Sequence, residues 1–261
     1  MNGRIESYAL RLLEAGVAGD RTSHGARDNL YKIEQVVMHN PVYTFGLEPL
    51  LEGVDFEEAY SAVGRFTGHP PDREENPERG RIDPVRTVEG LVEAARRIRK
   101  VAGGGGTLLF GTGHPGALLL YYLELSRWAE TLGGRVLTAG TERLYEHGSP
   151  LDWVGKVGVL GDGAHLHHTH SPDPMRDVLG EVGAVDLVVA DHGFAGAAAA
   201  AGIPAIAVMD TNDPALAVAA LRAPDLLTVV PMDDNRPQNS YAVALDVIRE
   251  AGGASAPFME R

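Results

Sequence analysis

The stretch Gly103-Gly104-Gly105-Gly106-Thr107-Leu108-Leu109-Phe110-Gly111-Thr112-Gly113-His114-Pro115-Gly116 decides how this chain folds. Residues 107–110 sit between two glycine-rich segments, and a long apolar segment follows Pro115. That order predicts a buried strand, a tight turn, and a helix opening at Pro115. Glycine lets a backbone approach a ligand closely. Proline suits the first helical position, where its missing N–H costs nothing. The N–H groups of the turn and helix start, reinforced by the helix dipole, form an anion site. The expectation is a phosphate or carboxylate held by the turn 111–116 at the carboxyl end of a strand.

Outward from this unit the pattern repeats. Candidate strands are 107–110, 135–138, 157–160, 187–190, 205–208 and 227–230; candidate helices are 115–132, 175–182, 196–201, 214–221 and 241–251. Short continuous apolar strands alternating with helices predict a parallel sheet covered on both faces. The expected fold class is α/β: a doubly wound, mainly parallel, Rossmann-like sheet with an N-terminal helical extension. Such sheets bind ligands at the carboxyl ends of their strands, where the strand order reverses.

Upstream, the spacing is helical. Ile5, Leu10, Leu12, Leu13 and Val17 form one stripe, and Leu30, Ile33, Val36 and Val37 a second. Phe56, Ala59, Tyr60, Val63 and Phe66 form a third, behind Asp55 as N-cap. His69-Pro70-Pro71-Asp72-Arg73-Glu74-Glu75-Asn76-Pro77 reads as an exposed linker. Asp83 and Pro84 then cap and open a helix running to about Val101. The expected division is 1–81, a helical extension and linker, and 82–261, an α/β domain carrying the site, the two forming one compact unit. The extension is expected to cover an edge or face of the sheet, or to supply a homodimer contact. Arg27, Asn29 and Lys32, near Tyr31 and His24, read as a solvated helix face; the alternative is that they reach the site as a lid or from a second subunit.

Composition narrows the function classes. The 261 residues are 44% hydrophobic, enough to bury the core of one large domain. Net charge is -13, so the chain repels nucleic acid and anionic lipid, and neither is an expected partner. There is no cysteine, which removes disulfides, thiolate nucleophiles and cysteine metal sites. No apolar run reaches membrane-spanning length, and the first residues lack the apolar core of a signal peptide; the expected location is the cytoplasm.

Four polar clusters fall where strands should end: Gly111-Thr112-Gly113-His114, Asp191-His192-Gly193, Asp210-Thr211-Asn212-Asp213-Pro214 and Asp233-Asp234-Asn235-Arg236. The spacing Gly111-x-Gly113-x-x-Gly116 matches half of the dinucleotide fingerprint, but no acidic residue ends the next strand near 138–140, and a Walker lysine is absent. A phosphate or phosphosugar loop fits better, and no nucleotide cofactor is expected. The expected catalytic groups are His114, Asp191, His192 and Asp210, with His114 or His192 protonating a leaving oxygen. Gly111, Thr112, Gly113, Gly116, His168, His170, Asn212, Asp233, Asp234, Asn235 and Arg236 are the expected substrate contacts. A divalent metal such as Mg²⁺ is expected on Asp191, Asp210 and Asp233, or Asp234 in place of the last. Asp213, next to Pro214, is assigned to capping the following helix. The run His165-Leu166-His167-His168-Thr169-His170, if extended, puts His168 and His170 on one face, which suits a metal or a phosphate-facing loop.

At these residues the chain resembles a family of actinobacterial phosphatases. The matching motifs are Ile82-Asp83-Pro84, Gly111-Thr112-Gly113-His114-Pro115-Gly116, His168-Thr169-His170-Ser171 with Pro174-Met175, Val189-Ala190-Asp191-His192-Gly193, Asn212-Asp213-Pro214-Ala215 and Val230-Pro231-Met232-Asp233-Asp234. The resemblance runs from about Asp20 to Ala251. A looser likeness is to sugar-isomerase domains, which seat a sugar phosphate on a loop after the first strand; their serine cluster is missing here. The resemblance implies phosphoester hydrolysis of a small phosphorylated metabolite. The alternatives are a phosphosugar isomerase and a non-catalytic binder of such a metabolite.

Overall fold

The structure, a computed structural model, describes residues 2–73 and 80–251. The end of the expected linker, Glu74 to Pro77, lies outside the described residues. Helices α1 (Asn2–Ala15), α2 (Ala26–Val37), α3 (Pro41–Thr44), α4 (Phe56–Thr67) and α5 (Pro84–Gly103) precede β1 (Thr107–Gly111). Then follow α6 (Pro115–Thr131), β2 (Arg135–Val136), β3 (Leu151–Val154), β4 (Val157–Gly161), β5 (Leu166–His167), α7 (Asp173–Glu181) and β6 (Leu187–Asp191). The chain closes with α8 (His192–Ala200), β7 (Ala205–Met209), α9 (Pro214–Arg222), β8 (Leu227–Pro231) and α10 (Ala242–Ala251). Two expected caps form: Asp55 accepts from the Glu58 N–H and Asp83 from the Val85 N–H.

The sheet runs β3-β4-β1-β6-β7-β8, with β2 paired to the start of β1 and β5 to the end of β4. Every pair is parallel except β3–β4 and β4–β5. Sequence patterning gave no signal for β3 and β5. Each is short, and each pairs with β4 as a flanking antiparallel segment rather than filling a covered central position.

Strand residues alternate between two cores. Leu108, Phe110, Leu187, Val189, Ile206, Val208 and Val230 pack with α1, α5, α6 and α10. Leu109, Val188, Ala190, Ala207, Met209 and Val229 pack with α2, α4, α7, α8 and α9. Both faces are covered, which is why the strands read as unbroken apolar runs. The N-terminal helices divide between the two sides: Tyr8 and Leu12 enter the first core, and Ile33, Phe45 and Val63 the second.

From β1 the chain goes to β2 and β4 on one side, then crosses to β6, β7 and β8 on the other. The reversal opens a crevice at the carboxyl ends of β1 and β6. Backbone connectivity alone therefore brings the turn after Gly111 beside Asp191.

Candidate functional site

The four strand-end clusters converge. Asp191, at the tip of β6, turns to the β1 turn rather than capping its own helix: Oδ1 accepts from the Gly113 N–H at 2.6 Å and Oδ2 from the Thr112 hydroxyl at 2.5 Å. The Thr112 oxygen in turn accepts from the His114 N–H at 2.9 Å. The expected phosphate cradle is thus filled by the protein's own carboxyl group. Gly111, Thr112 and Gly113 are buried, and the amides of Gly113 and His114 are spent internally. Gly113 is required by contact: a Cβ there would lie 2.2 Å from the Thr169 carbonyl oxygen. Gly116 alone among the glycines of this turn is exposed, and as the second helical residue it has an N–H with no intrahelical acceptor.

The carboxyl groups of Asp191, Asp210, Asp213, Asp233 and Asp234 are all buried around this point. They do different things. Asp233 is clasped by Arg236 at 2.8 Å, by the N–H and hydroxyl of Ser23 at 2.7 and 3.0 Å, and by the Asn235 N–H at 3.0 Å. Arg236 also donates to the Arg21 carbonyl, so Asp233 and Arg236 tie the β8 loop to the segment before α2. Asp213 is not spent on capping: Oδ2 accepts from the Asp210 N–H, and Oδ1 stands 3.6 Å from His192 Nε2. Asp210 accepts from the Thr211 N–H and contacts His24 Nδ1 at 2.8 Å. Asp234 has no hydrogen bond at either oxygen; His192 Nε2 lies 3.2 Å away and His114 Nδ1 3.4 Å. Asn212 is half-buried, with its side-chain oxygen unpaired.

Burial pushes Asp191 and Asp213 up to about 7, and the hydrogen bonds that Asp191 accepts only partly oppose this. Asp234 is driven well above the usual carboxylate range, first by burial and then by the neighbouring aspartates. Burial likewise holds His114 down to about 2 and His170 to about 4, and keeps His168 low and His192 far below its ordinary value. The approach of His192 to Asp234 is therefore not an ion pair; desolvation favours the neutral form of both. His24 differs. Burial opposes its proton, but the hydrogen bond and charge of Asp210 outweigh that, and its pKa is raised.

Four imidazoles pack together. The rings of His114 and His168 are 4.0 Å apart, His114 and His192 4.5 Å, His170 and His192 4.7 Å, and His168 and His170 4.8 Å. His170 is anchored behind the others by the Val42 carbonyl at 3.0 Å and by Phe45, edge-on at 5.1 Å. His192 opens α8 with φ +40, a left-handed conformation rare for a side-chain-bearing residue. Gly193 beside it is obligatory, because a Cβ would meet the His170 carbonyl oxygen at 2.2 Å. His165 and His167 group instead around Asp162, away from this cluster.

Two residues of the site escaped sequence reasoning. His24 comes from the extension and stands alone, with no periodicity to mark it. Asp213 was assigned to a cap; the Asp-x-x-Asp spacing with Asp210 was the available signal. Asn29 also differs from expectation: it is buried, accepting a hydrogen bond from the Thr211 hydroxyl at 3.2 Å, so that part of α2 is packed rather than solvated.

An open cavity of about 600 Å³ lies against the cluster, lined by His24, His114, Pro115, Gly116, His168 and Arg236, among others. Asn235 is on its rim. Among the described residues, three sets of side chains place donor atoms within 4.8 Å of one another: His24/Asp210/Asp234, His192/Asp213/Asp234 and His114/His168/His192. The expected trio Asp191, Asp210 and Asp233 is not one of them. Asp191 and Asp233 are instead occupied by backbone amides, hydroxyls and Arg236.

A family model described as Phosphatase matches residues 5–254. The chain belongs to this phosphatase family. A curated relative named Phosphatase SCO2771, from Streptomyces coelicolor (strain ATCC BAA-471 / A3(2) / M145), is 33% identical over 232 residues, which cover 87% of each protein. The family match, over residues 5–254, takes in both the segment that supplies His24 and the sheet that supplies the aspartates. Among the described residues, no helix is long and apolar enough to cross a membrane.

Proposed function

We propose that this phosphatase hydrolyses the phosphate monoester of a small metabolite, bound in the cavity at the start of α6, with help from a divalent cation. The observation that carries the reading is the placement of that cavity. It is lined by the first turn of α6 and by His24, His114, His168 and Arg236, and of these His24, His114 and Arg236 contact the buried Asp210, Asp234 and Asp233. Its size suits a small ligand. The unpaired Gly116 N–H and the α6 dipole favour an anionic group there.

The cation fits the side chains present. Asp234 buries both oxygens without a donor, and His114 and His192 each bury an unpartnered Nδ1. Buried polar groups left in this state are costly, and a cation relieves the cost. A divalent cation supplies charge neutralisation at the phosphoryl oxygens and orients the attacking water. The protein's own part is positioning. His114 and His168 line the phosphate side of the cavity, and Asp191 fixes the turn that carries His114. Water adds to phosphorus, the ester P–O bond breaks, and the proton given up by water ends on the leaving oxygen, giving an alcohol and inorganic phosphate. Burial holds His114 neutral, which suits it to a hydrogen bond with the substrate rather than to carrying that proton.

The phosphatase reading is preferred to the isomerase alternative on the family match; the committed amides of Gly113 and His114 bear on both alike. The test is phosphate release from a panel of small phosphomonoesters, with and without EDTA. Release that stops with EDTA and returns with added divalent cation is expected. A silent panel overturns the substrate class, and release indifferent to EDTA overturns the cation.

A further inference from the structure

Asp234 is the least explained residue in the molecule. It is fully buried, neither oxygen has a hydrogen-bond partner, and its nearest polar neighbours are imidazole nitrogens. Its Oδ2 stands 3.2 Å from His192 Nε2 and 3.4 Å from His114 Nδ1, a spacing that lets one cation contact the carboxylate and an imidazole together. Asp234 is also the one carboxylate common to two of the three donor sets: His24 with Asp210, and His192 with Asp213. A carboxylate has two oxygens and can serve two cations at once.

The third set, His114/His168/His192, shares His192 with the second. A neutral imidazole has one nitrogen lone pair to give, because its other nitrogen carries hydrogen. His192 can therefore serve one cation, and the second and third sets cannot both fill. Of the two, the set with Asp213 and Asp234 brings carboxylates to offset the charge. His114 and His168 stay free for substrate in the cavity.

We propose that this chain holds two divalent transition-metal ions bridged by Asp234, one on His24 and Asp210 and the other on His192 and Asp213. The inference rests on the cation-assisted reading above and deepens it. It also changes the metal. Mg²⁺ prefers oxygen ligands and retains its waters, whereas mixed imidazole and carboxylate donors suit Mn²⁺, Fe²⁺, Co²⁺ or Zn²⁺. The first site joins the N-terminal extension to the tip of β7, so the extension completes the centre rather than merely covering the sheet.

The full chain, stripped with chelator and titrated with Mn²⁺ alone, provides the test. Calorimetry is expected to give two Mn²⁺ per chain, and electron paramagnetic resonance a spin-coupled pair. His24→Ala, at the cavity wall, is expected to keep the fold by circular dichroism, bind one Mn²⁺ and show the uncoupled signal of a single ion. Asp234→Asn is expected to weaken both sites at least tenfold. One Mn²⁺ per folded parent chain, or two without coupling, overturns the bridged pair while leaving cation-dependent phosphate release standing. No Mn²⁺ bound, together with release indifferent to EDTA, overturns both readings. If Asp234→Asn fails to fold, the His24→Ala stoichiometry decides.

Discussion

Asp191 and Asp234 are both fully buried carboxyl groups beside the same crevice, and their surroundings give them opposite roles. Asp191 has donors from Gly113 and Thr112 and acts as a clamp; Asp234 has none and faces imidazoles. Asp191→Ala is expected to strand a buried N–H and hydroxyl and cost about 1–3 kcal/mol of stability, read as a shift in the urea midpoint. Gly113→Ala drives a methyl into the Thr169 carbonyl, and about 3 kcal/mol is expected from the same measurement, the upper end for overpacking. His168→Ala removes a side chain from the cavity wall. There the melting temperature should hold, while KM for the phosphorylated substrate rises about tenfold, the equivalent of one hydrogen bond to a charged group. Residue roles of this kind were only half legible. The sequence marked Asp191 as a strand-end carboxyl group, but which amide it would meet depended on a strand pairing many residues away.

The decisive element is the β1 turn leading into α6. Its glycines were read as an anion cradle, and they do surround a carboxyl group, but that group belongs to β6. The proposed phosphate site is therefore the first turn of α6, where Gly116 faces open space. Gly116→Asp tests this. A carboxylate at a helix N-terminus is favourable to the helix, so the melting temperature should not fall. The same charge competes with phosphate, so KM should rise and inhibition by inorganic phosphate should weaken. An unchanged KM would move the phosphate site elsewhere. Element identity was legible from periodicity and caps, as at Asp55 and Asp83. The cap assigned to Asp213 was not, because Pro at the first helical position marks the helix start whatever the preceding side chain contacts.

Across the whole molecule, a net charge of -13 is combined with a knot of buried acids at one end of the sheet. Chelation should therefore lower the melting temperature as well as the activity, and added Mn²⁺ should raise both, since a ligand bound to the folded state alone stabilises it by mass action. Differential scanning fluorimetry across a metal series reads this directly; a melting curve unmoved by EDTA would mean that the acids are stable as protonated groups. The N-terminal helices enter both cores, and the segment between α1 and α2 brings His24 to Asp210. The sequence by itself determined the alternation of strand and helix, the burial of both sheet faces and the crowding of acids and imidazoles at strand ends, because these follow from local periodicity and short-range polarity. Only the tertiary structure decided that Asp191 fills the glycine turn, that Asp233 is held by Ser23 and Arg236, and that His24 crosses to the aspartates. Those outcomes depend on which strands become neighbours and how the extension folds back, and no local pattern encodes either distance.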